Sequence, residues 1–312
     1  MARFIQSRVK EELMRKLFFY LIVVVILVMM LQANLSAFPA NGKNANHYIL
    51  MYQTNSYDSK IGDSVNYFFQ KILRSQDSIL LFTPMRPINY SPKSRQSQPL
   101  KVLVSRTIDI LKKDTSVNAA TYRNIQDSML NIVNEISSSL GTSKTSGLGG
   151  GSNASIDIKN LLTQYLQLLN NYRQQRKTND TLFLKLSEMI KKLEGEKHIT
   201  IVYQQDMRII PDKDTMGVLR ENSRWAFQAS ECFYDENTKS VLDVEKVSNA
   251  LKETGITLNL IYIKANTSRR IGYEYRELSG DMYESLSNVA KATGGEVITT
   301  SKPEEAFKNI FK

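Results

Sequence analysis

The sequence predicts a three-layer α/β/α sandwich, doubly wound around a mainly parallel sheet, with an extended helical middle segment. Three observations carry that reading. Short continuous apolar runs of strand length recur along the chain, the mark of strands covered on both faces. Amphipathic stretches with helical spacing alternate with those runs, as layered α/β proteins require. Crossovers between parallel strands are right-handed, which limits the topology to a doubly wound sheet.

Taken in order, residues 47–53 (HYILMYQ) form the first strand. Ile61, Val65, Phe68, Phe69 and Ile72 then make one helical stripe, with Asp58 and Asp63 placed to cap and charge its start. Residues 78–83 (SILLFT) are the second strand, stopped by Pro84. A Pro/Ser/Arg-rich loop, 85–99, leads to two stripes, Leu100 to Leu111 and Ile125 to Ile136. Residues 137–155 are a Ser/Gly-rich connection. Two further helices follow, Ile158 to Tyr172 and Leu182 to Leu193, with Gly195 as a C-cap. The third strand is 198–203. Residues 217–234 and 240–253 read as helices around an Asp235–Thr238 turn, and 256–263 is the fourth strand. A helix closing on Thr293-Gly294-Gly295, a strand 296–300 and a terminal helix opened by Pro303 complete the pattern. The predicted organisation is therefore a leader (1–37), a polar tether (38–46) and one domain (47–312) with a helical insertion at about 100–195.

Composition narrows the function. Apolar residues make up 42% and charged residues 23%, which is ordinary globular usage. One cysteine, Cys232, excludes an intramolecular disulfide framework and a thiolate metal cluster. Two histidines, His47 and His198, both fall at strand starts, opposite the edge where ligands meet such sheets. Cys232 lies in an aromatic-rich stretch and reads as a buried small hydrophobe. The net charge of +10 is scattered, with no dense basic run interleaved with aromatics, so nucleic acid is not expected. Gly147–Gly151 follows a Ser/Thr-rich stretch and lacks a following Lys-Ser/Thr, so it is a connection rather than a phosphate loop. Arg269, Arg270 and Arg276 lie beyond the fourth strand on a loop and its helix, as a solvated face, with contact to an acidic partner the alternative.

The first residues carry an address. Arg3, Arg8, Lys10, Arg15 and Lys16 outnumber Glu11 and Glu12, and a continuous apolar run, Leu17–Leu31, follows. Those residues as a helix span roughly 22 Å, short of a ~30 Å hydrocarbon core. Small residues then appear (Ala33, Ser36, Ala37), and cleavage after Ala37 is the expectation. An uncleaved anchor is the alternative. Either way the domain is expected outside the cytoplasm, secreted or periplasmic.

Two stretches resemble the von Willebrand factor type A domain in its bacterial exported form. Residues 286–310 (LSNVAKATGGEVITTSKPEEAFKNI) are similar to that family's closing helix, Thr-Gly-Gly turn, final strand and terminal helix. Strand 47–53, helix 58–74 and the following LRSQDSILLFT are similar to its opening. The resemblance covers about 46–312, with 100–195 longer and more helical than usual. It implies a divalent metal at the carboxyl edge, held by Asp-x-Ser-x-Ser after the first strand, a mid-domain Thr and an Asp after a later strand. Here Gln53, Asn55 and Tyr57 stand in the first set, with Ser56 between them. Ser152 and Asn153 stand in the mid-domain segment, and Gln204, Gln205 and Asp206 follow the third strand. Neutral amides lack the charge that offsets dehydration of Mg²⁺, so neither a metal nor any other cofactor is expected.

The expectation for function is thus a non-enzymatic, extracytoplasmic protein-interaction module. Its candidate partner-binding residues are Gln53, Asn55, Ser56, Tyr57, Ser152, Asn153, Gln205 and Asp206. The partner is expected to be a protein, with membrane contact only through an uncut leader. A membrane-anchored structural subunit and an exported hydrolase are the alternatives.

Overall fold

A computed structural model describes residues 45–141, 158–174, 178–234, 242–265 and 271–312. The leader, most of the tether, residues 142–157 with Ser152 and Asn153, the Asp235–Thr238 turn and Arg269-Arg270 lie outside the described residues; Ser137–Ser139, assigned to the Ser/Gly-rich connection, are instead helical.

Six strands build the main sheet. They are β1 (His47–Gln53), β2 (Ser78–Phe82), β3 (Pro87–Tyr90), β4 (Lys197–Gln204), β6 (Ile256–Ile263) and β8 (Val297–Thr300), in spatial order β3-β2-β1-β4-β6-β8. All neighbours are parallel except β2 and β3. Two strands, β5 (Met207–Pro211) and β7 (Tyr273–Glu277), pair only with each other, antiparallel.

Alternation along the strands assigns the layers, because successive side chains leave opposite faces. Tyr48, Leu50 and Tyr52 of β1 point to one core with Ile79, Leu81, Val202 and Ile261. That core is closed by α1 (Ser59–Tyr67, continued by a π turn, Phe68–Ile72), the first half of the long helix α3 (Leu100–Ser139), and α10 (Pro303–Ile310). A short helix, α2 (Pro92–Gln96), lies between β3 and α3. Ile49 and Met51 point the other way, with Leu80, Ile199, Ile201, Leu258 and Leu260. There α5 (Asp180–Ile190), α8 (Val244–Glu253) and α9 (Gly280–Ala292) supply Phe183, Leu186, Val247, Leu251, Leu286 and Val289. Phe68 and Phe183 are wholly buried on opposite faces, and truncating either to Ala costs about 3–5 kcal/mol. This is the three-layer α/β sandwich that the sequence predicts.

Helix starts follow simple chemistry. Asp58, Asn179 and Asp243 cap α1, α5 and α8, each side chain accepting a backbone N–H of the first turn. Each such cap is worth about 1 kcal/mol.

A second core lies beyond the sandwich. The distal half of α3 packs there with α4 (Ile158–Gln174), β5, α6 (Lys213–Glu221), α7 (Ala226–Phe233) and β7. Its interior includes Val133, Ile136, Leu162, Tyr165, Leu169, Leu219 and Phe233. Cys232 is buried here and its Sγ donates to Leu162 O at 3.3 Å. Burial pushes its thiol up to about 12, which suits packing and not nucleophilic attack. Arg208 is buried with its Nη1 on Cys232 O, and Arg276 Nη1 donates to Phe233 O. Both guanidinium groups meet the carboxyl end of α7, where a helix dipole favours cations.

Several expectations are corrected. The two stripes at 100–111 and 125–136 belong to one continuous helix of 40 residues, and Leu100 is exposed. Residues 217–234 split into α6 and α7. Arg276 stands on strand β7, not on a helix. Gly195 does not cap α5, which ends at Ile190. It has φ 101°, and a Cβ there would meet Ala45 O at 1.9 Å, so close approach of the incoming chain fixes it as glycine. Ala45 and Asn46, assigned to the tether, are held: Ala45 is buried and Asn46 N–H donates to Asp77 Oδ1 at 2.8 Å.

His47 sits beside that incoming chain. Its Nε2 donates to Glu194 O at 2.8 Å, so Nδ1 of the neutral ring accepts from Ser78 Oγ at 2.7 Å. Burial, then the nearby Lys197, lowers its pKa from the ordinary 6.5, against the opposing pull of the Glu194 hydrogen bond and Asp77. An unfolded His47 takes up a proton before the folded one does. Its contribution to stability is therefore complete above about 6.5 and drains as pH falls toward the lowered folded value. Denaturant midpoints measured from pH 7.5 downward should fall less steeply for His47→Gln than for wild type. Identical slopes would show that His47 does not set the acid response.

Candidate functional site

The chain reverses winding direction between β1 and β4. From β1 it runs through α1 to β2 on one side; from β4 it leads through α8 to β6 on the other. In open α/β sheets the crevice at such a switch point, at the carboxyl ends of the strands, is where ligands bind. Gln53 ends β1 beside Tyr203 of β4, half-buried. The loops that follow, Thr54–Asp58 and Gln205–Asp206, form the rims of the crevice.

Gln204 holds the first loop. Its Oε1 accepts from Asn55 N and Ser56 N, both at 2.8 Å, and its Nε2 donates to Ser56 Oγ at 2.7 Å. Asn118, on α3, donates from Nδ2 to Thr54 O at 3.0 Å and to Asn55 Oδ1 at 3.1 Å. Thr54 is buried with its Oγ1 3.0 Å from Thr115 Oγ1. The loop is thus pinned both from β4 and from the long helix.

Asp206 fills the floor and is buried. Its Oδ1 accepts from the Asn55 amide and its Oδ2 from Tyr203 Oη at 2.9 Å. Its own N–H donates to Ser279 Oγ at 3.0 Å, and its carbonyl accepts from Leu278 N. Tyr172 of α4 lies over the same group, its Oη 3.5 Å from Asn55 Nδ2. Burial first, and then the Asp206 carboxylate, drives the Tyr172 hydroxyl far above the ordinary tyrosine range. Tyr122 of α3 is raised likewise by burial and Asp206; it bridges Met207 N and Met207 O. These phenols stay protonated, so they take part as neutral hydroxyls, Tyr172 accepting from Asn55 and Tyr122 from Met207 N.

Gln205 faces the other way. Its Nε2 donates to Glu277 Oε2 at 2.7 Å, and Tyr262 Oη donates to Glu277 Oε1 at 2.6 Å. Of the sequence-predicted site residues, Gln53, Asn55, Ser56, Tyr57, Gln205 and Asp206 gather at this edge; Ser152 and Asn153 lie outside the described residues. Sequence reasoning missed Tyr172, Asn118, Tyr122 and Glu277. The long helix brings two of them here, and its polar middle turns gave no apolar stripe to follow.

The resemblance implies a divalent metal in this crevice, and the donor set does not fit one. The Asp206 oxygens are engaged by Asn55 and Tyr203. Asn55 and Tyr57 bring no charge where Mg²⁺ needs anionic oxygens. Among the described residues no three His, Cys, Asp or Glu side chains gather to hold an ion.

Beside the crevice, between the Asn55–Tyr57 loop, α3 and β5, opens a cleft of about 580 Å³. No helix among the described residues is long and apolar enough to cross a membrane.

No family model matches the chain, and no curated protein matches it. Among solved structures it is similar to an aerotolerance-related membrane protein from Bacteroides fragilis carrying multiple mutations to serines. That chain is 10% identical, with a TM-score of 0.30, over 86% of this chain and 96% of that one. So loose a likeness says nothing of function.

Gln204→Ala removes three hydrogen bonds from a half-exposed clamp. Hydrogen exchange at the Asn55 and Ser56 amides should quicken, while global stability falls by only about 1–3 kcal/mol. Unchanged exchange at those two amides would mean that Asn118 alone fixes the loop.

Proposed function

We propose that this chain is a metal-independent, non-enzymatic protein-interaction module of the von Willebrand factor type A kind, acting outside the cytoplasm. The observation that supports it most directly is the switch-point crevice. A loop that could offer a metal-borne contact is instead fastened by Gln204 and Asn118, over an Asp206 engaged by Asn55 and Tyr203. Such a loop presents a fixed polar surface at low entropic cost to a partner, as preorganised interfaces do.

Weighing against the hydrolase reading, the two histidines lie at the amino edge, His47 buried in its own hydrogen bonds and His198 stacked on Tyr48. Neither reaches a hydroxyl at the carboxyl edge. The extracytoplasmic placement rests on residues 1–37 of the sequence. An uncut leader would make the same domain a membrane-anchored subunit.

Thermal unfolding with and without millimolar Mg²⁺ or Mn²⁺ should give one melting temperature, since an ion bound by the native state must raise it. A clear rise would restore the metal site. The partner face is tested by Asn55→Ala combined with Asp206→Ala. Capture of envelope proteins on the immobilised chain should weaken while the far-ultraviolet spectrum holds, with a lower melting temperature because Asp206 is buried, and Asn55→Ala alone should weaken capture without that loss. Undiminished capture would move the face elsewhere. The mass of the protein recovered from its source distinguishes a cut leader from an anchor.

A further inference from the structure

We propose that the cleft beneath α3 binds an extended acidic peptide of a partner protein, whose carboxylates pair with Lys112 and Arg123. This rests on the partner-binding reading of the carboxyl edge and names the chemistry of what binds. Lys112, Ser116, Ala119, Arg123 and Gln126 fall at intervals of three and four along α3 and line one wall of the cleft. They form a single stripe on the helix. Both cations are exposed. Among the described residues neither makes an ion pair, and no Asp or Glu lines the cleft.

Acids surround the cleft without lining it: Asp206 is buried on Asn55 and Tyr203, and exposed Asp127 follows Arg123 by one helical turn. Glu277 is occupied by Tyr262 and Gln205. Asp58, Asp63 and Asp109 cluster around Tyr57 at one end. The lining itself therefore holds two cations and no carboxylate, with the acids at the Tyr57 end, on the buried floor and one turn beyond Arg123.

Spacing sets the form of the ligand. Lys112 and Arg123 are separated by about 16.5 Å along the helix axis, the reach of about five residues of extended chain. Between them the lining is Ser116, Ala119 and Tyr122, a neutral stretch that suits a peptide backbone. A nucleic acid would set further phosphates against that neutral stretch and would meet only two cations, too few for polyanion affinity. The guanidinium of Arg123 can grip a carboxylate with two parallel bonds, and the Lys112 ammonium acts as a point charge.

The test uses the full-length protein and a fluorescent Gly/Ser peptide with glutamate pairs about five residues apart. Its comparators are the same peptide with glutamines and a single-stranded oligonucleotide. Anisotropy should show the acidic peptide binding at least about tenfold tighter than its glutamine twin. Lys112→Glu with Arg123→Glu should abolish that difference, and Lys112→Gln with Arg123→Gln should reduce it, both with unchanged melting temperature. Equal binding of the two peptides, charge reversal without effect, or tighter binding of the oligonucleotide would each overturn the proposal. If Asn55→Ala with Asp206→Ala still weakens envelope-protein capture while charge reversal changes nothing, the edge remains the interaction face and the acidic ligand is wrong. If neither pair of changes alters capture or peptide binding, the carboxyl-edge reading itself fails.

Discussion

The buried carboxylate of Asp206 is the interaction on which the carboxyl edge depends. A carboxylate taken out of water is costly unless its oxygens are met by donors. Asn55 and Tyr203 meet them, and Tyr172 and Ser279 close around the residue. These groups come from β1's exit loop, β4, α4 and the turn before α9. The carboxylate bonds Asn55 and Tyr203, Asn55 in turn meets Tyr172, and the Asp206 backbone meets Ser279, so one residue gathers these segments, and removing its side chain strands the Asn55 amide and the Tyr203 hydroxyl. Gln204 does the same for the exit loop with neutral atoms. The strands diverge at this point and no longer satisfy each other's amides, so side chains must do so.

The second constraint is the length of α3. At 40 residues it runs about 60 Å, far beyond strands of four to eight residues. Its first half seals the sandwich through Leu103, Val104 and Leu111; its last turns enter the second core through Met129, Val133 and Ile136. Between them the helix crosses the open edge. Buried Asp114, held by Thr83 Oγ1 at 2.7 Å and Arg86 Nε at 3.1 Å, fixes the helix to the β2–β3 turn just before the crossing. Asn118 then pins the exit loop. The cleft lies at the crossing because there the helix has left one core and has not yet joined the next.

That geometry explains what the sequence could and could not reveal. Strands buried on both faces left apolar runs, and helices resting on one core left stripes, so the sandwich was legible from β1, β4, β6 and their flanking helices. The middle of α3 was not. From Lys112 to Asn124 it has few core contacts, its apolar periodicity lapses, and one helix reads as two. Strands β5 (MRIIP) and β7 (YEYRE) were missed for a related reason. They pair only with each other, across more than sixty residues of sequence, and neither adjoins a turn that would mark a hairpin. Short β3 carries Pro87 on a sheet edge, where proline is tolerated but the strand signal is weak. At the site, residues adjoining β1 and β4 were found by position in the topology. Those delivered by α3 and α4 were not, because their approach depends on packing between the two cores.

Under the proposed recognition role, the electrostatics of the edge matter for holding rather than for turnover. A general base must titrate near working pH with a path to its substrate. Here the carboxylate is buried and spent on internal donors, and burial keeps the Tyr122 and Tyr172 hydroxyls protonated well past neutrality. The one thiol is raised to about 12 and faces the second core. What reaches solvent beside this inert floor is a neutral amide rim and the two cations of α3. The same network that engages both Asp206 oxygens also fixes the exit loop, and rigidity is what the proposed recognition surface gains from it.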